Sequence, residues 1–211
     1  MKDEWFRRTS WTAESAAEFE RRLNRARPTG RAQYLRIQAG HLLAAGDAKS
    51  ALVLAERAVH DPLVGIQLAP AHLTRGDCYR RLRDLPRALG AYRAAVETEA
   101  AVPTVKTDAY LEFAWTVATE VLRADYDEAS RLLDAFADRP AFPVQHFRQH
   151  ASRALIAFDC GAHDVAWSEA KLALHAADAD SSGLQYHRKL GLVTEQYEDI
   201  RTRLRKLAAD G

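Results

Sequence analysis

His146-Phe147-Arg148-Gln149-His150 sets two imidazoles four residues apart, the spacing of a two-ligand metal site on one helix face. What the segment lacks is a third ligand. The glutamate of the zinc-protease motif is missing, an arginine occupies the interior, and only Asp159 and His163 stand where a turn could bring them near. Cys78, in Gly76-Asp77-Cys78, falls inside a helical pattern, a poor position for a nucleophile. The chain carries no glycine-rich phosphate loop, no nucleophile elbow and no Cys-x-x-Cys. These residues form no catalytic constellation, and they point to a protein that is not an enzyme and holds neither metal nor cofactor.

The remaining chemistry is recognition. The net charge of +1 conceals an asymmetry, with 17 Lys/Arg against 12 Asp/Glu in residues 1–100 and 13 against 17 in the rest. Basic residues crowd at Arg21, Arg22, Arg25, Arg27, Arg31 and Arg36, and acidic ones at Asp125, Asp127, Glu128, Asp134 and Asp138. Such runs are usually solvated helix faces, although opposite ends could also steer a charged partner or favour self-association. A near-neutral chain forgoes most of the phosphate attraction that dominates nucleic-acid binding, and no nucleic-acid motif occurs. Trp5, Phe6 and Trp11 concentrate aromatics near the start, where they read as a cap or, alternatively, as an anchor for a partner.

Four helical hairpins must position all of this. Gly76, Tyr79, Ala88, Tyr92 and Ala95 set a small residue, an aromatic and then a small–large–small run at fixed offsets. The frame repeats at Ala39, Leu42, Ala51, Ala55 and Ala58; at Val117, Glu120, Ala129, Leu133 and Phe136; and at Ala154, Ala157, Ala166, Ala170 and Ala173. Ala51, Ala88, Ala129 and Ala166 are 37, 41 and 37 residues apart. Facing helices approach closely only where side chains are small, with larger ones filling the flanking grooves. Ala45-Gly46-Asp47, Arg83-Asp84-Leu85-Pro86 and Cys160-Gly161-Ala162-His163-Asp164 supply stop–start signals between helices. In the third hairpin, the segment 124–129 lacks the glycine but keeps aspartates suited to capping.

This pattern resembles a tetratricopeptide repeat (TPR). The resemblance implies an all-α fold: a right-handed superhelical array of antiparallel helix hairpins, about four repeats, with N- and C-terminal capping helices. It divides one domain, 1–211, into an N-terminal cap at 1–29, four hairpins over 30–178 and a C-terminal capping helix in 184–211. It also implies a working surface, since the first helix of each hairpin lines a concave groove in that family. Laid on this frame, Gln33, Arg36, Leu73, Asp77, Arg80, Arg81, Leu111 and Arg148 face the groove, with Ala114, Ala118, Ala151 and Leu155 giving it an apolar middle. The implied function is a protein–protein interaction module, whether adaptor, regulator or immunity-type protein. Its partner would be a protein or peptide, with acidic residues to match the arginines. The lysine–asparagine set that clamps a C-terminal carboxylate is not carried, because Gly40 stands where an asparagine would be needed. The alternative is an enzyme or nucleic-acid-binding protein on the same helical array, and a homodimer is left open.

Both ends depart from the frame. Thr12 suits an N-cap for a helix with Ala16, Phe19, Leu23 and Ala26 on one face, which Pro28-Thr29-Gly30 would end. Ser181-Ser182-Gly183 breaks the array, and Thr194 suits the cap of a last helix carrying Tyr197, Ile200, Leu204 and Leu207. Repeat arrays need such helices to cover their open flanks. The chain has no apolar run near transmembrane length, and its charged start lacks the apolar stretch of a secretory signal. Cys78 and Cys160 read as buried small residues in helices of different repeats. These features suggest a cytoplasmic protein with no membrane partner.

Overall fold

A computed structural model describes residues 4–209, and among these the regular structure is entirely helical. The α-helices are α1 (Ala13–Arg25), α2 (Pro28–Ala44), α3 (Ala48–Val59), α4 (Leu68–Arg81), α5 (Leu85–Ala101), α6 (Ala109–Thr119), α7 (Tyr126–Ala135), α8 (Pro143–Asp159), α9 (His163–Ala177) and α10 (Glu198–Ala209). Contacts divide the chain into two compact units, residues 1–109 and 110–211.

The turns show why these segments pair as hairpins. After α2, Gly46 adopts a φ of +93°. Its N–H bonds Leu43 O at 3.0 Å and the Asp47 N–H bonds Leu42 O at 2.9 Å. This is the Schellman arrangement, which satisfies the orphan carbonyls of a helix end and reverses the chain. The same six-to-one bond returns at Asp84 to Tyr79 O, Leu122 to Val117 O and Ala162 to Ala157 O, at 2.9 to 3.0 Å. The left-handed residue is Arg83 (φ 64°), Val121 (φ 57°) and Gly161 (φ 77°) in turn. Two glycines meet a requirement that an arginine and a valine meet against steric preference.

Aspartates then start two of the second helices: Asp47 accepts from Ser50 N at 3.0 Å and Asp84 from Arg87 N at 3.3 Å. The third turn differs. Asp125 makes no capping bond, and a single 3-10 turn, Arg123–Asp125, is inserted before α7. The insertion lengthens that turn to 120–125 and supplies most of the longer interval before Ala129.

In the first unit, α2 packs on α3, α4 on α5 and α3 on α4. Ala51, Ala55 and Ala58 are fully buried at the first crossing, and Ala88 and Ala95 at the second. Gly76 allows the closest approach, since a Cβ there would stand 2.6 Å from Cδ1 of the Tyr92 ring. In the second unit, α8 packs on α9 around Ala154, Ala166, Ala170 and Ala173, and Tyr110 of α6 meets Phe136 beyond α7 at 4.9 Å.

A further helix flanks the hairpins of each unit, α1 in the first and α10 in the second. Thr12 accepts from Ser15 N at 3.1 Å and starts α1, whose Phe19 and Leu23 enter the core of the first unit. Pro28 does not end a helix as expected: with Thr29 and Gly30 it forms the first turn of α2, where a proline lacks nothing because the first amides have no acceptor. At the other end α10 lies on α9, with Leu204 wholly buried and Trp167 Nε1 donating to Ala208 O at 3.0 Å. Thr194 makes no capping bond, and the 3-10 turn Glu195–Tyr197 leads into the helix instead. Cys78 is buried, but Cys160 is exposed at the C-cap of α8, not inside the helix, and both thiols are free.

Candidate interaction surface

The expected groove residues separate by unit. On the first helices of unit one, Gln33 and Arg81 are exposed and Leu73 is half-buried. Arg36 reaches from α2 to the start of α4, where its Nε donates to Gln67 Oε1 at 3.0 Å. Burial pushes its pKa down from the ordinary arginine value. Asp77 and Arg80, one turn apart on α4, converge on one hydroxyl. Tyr92 Oη donates to Asp77 Oδ1 at 3.0 Å and accepts from Arg80 Nε at 3.3 Å. Their heads thus tie α4 to α5 as well as meeting solvent.

A second polar centre joins α3 to α4. Tyr79 Oη donates to Glu56 Oε1 at 2.6 Å, while Arg75 Nη1 lies 3.4 Å from Glu56 Oε2. Arg75 Nη2 stands 3.0 Å from His72 Nδ1. Burial, and then the Arg75 charge, lower the His72 pKa to about 4, so at neutral pH the ring is uncharged and Nδ1 accepts from Arg75. Tyr79 is pushed up, chiefly by its bond to Glu56.

Unit two treats its counterparts differently. Leu111 is 0% exposed, which removes it from any groove. Ala114, Ala118, Ala151 and Leu155 are buried as well, so the expected apolar middle is core. The cause lies in α6, where Glu112 is the only residue of 109–118 that is not buried. A helix apolar all round is a core helix, and a frame that assigns one of its faces to solvent fails there. Arg148 of α8 is committed to that glutamate: Nη1 and Nη2 each donate at 2.7 Å to Glu112 Oε1 and Oε2. The two side chains are 12% and 15% exposed. The guanidinium also lies 5.1 Å from the Trp115 ring centroid, so its charge is matched within the chain.

The alternative anchor turns inward. Trp5 lies 5.1 Å from Phe19 and 5.0 Å from Tyr34, Phe6 is 4.9 Å from Tyr34, and Trp11 is 5.4 Å from Phe19. All three are partly buried against the core of the first unit. Gln38, wholly buried on α2, fixes this segment. Its Oε1 accepts from Arg8 N at 3.0 Å and its Nε2 donates to Arg8 O at 2.7 Å. A polar residue on the apolar face of α2 is the one sequence sign of this latch. Glu112, Gln67 and Tyr92 leave no sign that names their partners.

The histidine pair does not assemble a metal site. His150 Nδ1 stands 2.7 Å from Glu169 Oε2. Asp159 holds Arg123 through two bonds of 2.6 and 2.8 Å, which keep its carboxyl below the usual range. The His163 ring packs against Phe158. Among the described residues no three His, Cys, Asp or Glu side chains converge. No family model, curated protein or solved structure matches the chain.

Proposed function

We propose that this protein is a TPR-like interaction module. Its hairpins would stack as a right-handed superhelical array, and a peptide or protein segment bearing acidic residues would bind the first-helix surface of residues 1–109. The reading of the fold rests on four turns with the same six-to-one bond, whose left-handed residues 46, 83, 121 and 161 recur every 37 to 40 residues. Loops are free to differ, so this recurrence supports a repeated unit better than helix content does.

The reading of the site rests on one contrast. Gln33, Arg36, Leu73, Arg80 and Arg81 all keep exposed surface, whereas Leu111 is core and Arg148 is already paired. Arg36 and Arg81 give the α2–α4 face its positive charge, and Leu73 gives it apolar area. Exposed charge pairs each contribute about 0.2–1 kcal/mol, so binding should be cumulative and sensitive to salt. An adaptor, a regulator and an immunity-type protein would all use such a face. Free thiols at Cys78, pushed up to about 12 by burial, and at exposed Cys160 favour a reducing, cytoplasmic setting. No helix of the described residues is long and apolar enough to cross a membrane.

An array of extended peptides graded from acidic to basic tests the proposal on the purified chain. Acidic peptides should be retained, and the double variant R36E/R81E should lose them while keeping its helical circular dichroism. Arg81 is the cleaner probe, because Arg80 also holds Tyr92. Equal retention of acidic and basic peptides, or retention unaffected by the double reversal, would sink it.

A further inference from the structure

Between α9 and α10 the chain runs through residues 178–194 with no helix until the 3-10 turn at Glu195. Loops of this length inside compact units are usually functional or disordered, and this one is closed on itself. The Ser182 N–H donates to Arg188 O at 2.7 Å, and its hydroxyl donates to His187 O at 2.8 Å while accepting from Leu184 N at 3.2 Å. Leu190 N bonds His187 O at 2.9 Å. The exit is pinned by Gly191, which has a φ of +70° and accepts from Val144 N at 2.8 Å at the start of α8.

A loop held this firmly could turn its large side chains inward, and it does the reverse. Every residue of 183–190 is exposed, with Leu184 at 41%, Tyr186 at 85% and Leu190 at 54%. The tip curls around an open space of about 450 Å³ lined by Gln185 through Leu190. Its charge is of one sign. No acidic residue occurs between Asp180 and Glu195, whereas His187, Arg188 and Lys189 follow one another. Neither Arg188 nor Lys189 has an ion-pair partner among the described residues, unlike Arg57, Arg123, Arg148, Arg153 and Arg205.

We propose that the loop 183–190 is a docking element for an anionic lipid surface, with Leu184, Tyr186 and Leu190 entering the interface and Arg188 and Lys189 meeting the headgroup phosphates. Area decides against a protein partner. A specific protein interface takes roughly 20–30 residues and about 800 Å² from each side, and here eight residues protrude. A lipid surface needs no matching patch, because each apolar side chain and each cation adds its own increment. Tyrosine suits the headgroup level, with a polar tip on an apolar ring. The expectation of no membrane partner came from the absence of a spanning segment, and a docking loop needs none. With three apolar side chains and two cations, attachment is weak and reversible, and independent of the α2–α4 face.

Co-sedimentation of the full chain with vesicles of phosphatidylcholine, with and without about a third phosphatidylserine, tests it. The chain should pellet with the anionic vesicles, several-fold more than with the neutral ones, and release as salt is raised. R188E/K189E and, separately, Y186S/L190S should each abolish pelleting with thermal midpoints little changed, since all four residues are exposed. Hydrogen exchange should slow on vesicles across 183–190 alone. Equal pelleting on both vesicle types, no pelleting at all, or variants that pellet like the parent would overturn the proposal. So would self-association without lipid that is lost in the same variants, which would assign the loop to a second copy.

Discussion

Residues 1–109 and 110–211 are built on one hairpin frame and expose different things. The first unit leaves the outer faces of α2 and α4 to solvent, with Gln33 and Arg81 open and Leu73 half-covered. The second buries α6 on nearly every side and locks Glu112, the one partly exposed residue of 109–118, to Arg148. Repetition of the backbone is therefore no guide to repetition of the surface. The turn geometry repeats because every hairpin must satisfy the same orphan carbonyls. The faces diverge because each helix meets different neighbours.

Truncating one leucine in each unit probes this divergence most directly. Leu111→Ala should lower the free energy of unfolding by about 2–5 kcal/mol, the usual cost of a cavity in a closed core. Leu73→Ala, only partly buried on α4, should cost less, about 1–2 kcal/mol, since part of its apolar area already meets water in the folded chain. Urea midpoints measured side by side would break the comparison if the two losses were equal. Next in size is Arg148→Met, which strands Glu112 in a site with little solvent and should cost about 2 kcal/mol. Adding Glu112→Gln should recover part of that loss. Arg81→Met, on the open face of the other unit, should stay within about 0.5 kcal/mol.

The turns give a smaller effect of opposite sign. Val121→Gly relieves a β-branched residue of a left-handed backbone and should stabilise by about 1 kcal/mol, whereas Gly46→Ala imposes that strain and should destabilise by a similar amount. Nothing stands within 4 Å of the Cβ position at Gly46, so the loss would be purely conformational. A further change, dependent on pH, is expected at His72. Its folded pKa of about 4 lies below the ordinary 6.5, so the unfolded chain takes up a proton first as the pH falls. Stability should decline between about pH 6.5 and 4 and stay level above that window. His72→Gln should flatten the decline, as thermal midpoints across the range would show.

Much of the architecture was legible in the chain because small residues at crossings and glycines or aspartates at turns are local signals. Gly46, Asp47, Asp84, Gly161 and Thr12 did what their types suggest. Arg83 and Val121 could not be read, since the hairpin imposes their left-handed backbone on residues that do not favour it. Pro28 marked a helix boundary from the opposite side to the one expected, a proline being as compatible with a first turn as with a stop. The candidate surface was legible only in part. Helical spacing identifies which residues share a face, but not whether that face meets water or another helix, and Leu111 fell on the wrong side of that divide. Long-range partners such as Gln38 with Arg8, Arg36 with Gln67 and Arg148 with Glu112 lie 30, 31 and 36 positions apart, beyond the reach of any local pattern.

The latch at Gln38 also bears on how the molecule opens locally. Peeling the aromatic segment off α1 and α2 would exchange two protein hydrogen bonds and the covered area of three aromatic rings for contact with water. Local opening of the segment around Arg8 therefore costs both of these bonds together with the packing of its aromatic rings. Gln38→Leu would remove both bonds and make the segment around Arg8 an easier site of local opening and cleavage, while the hairpins kept their shape.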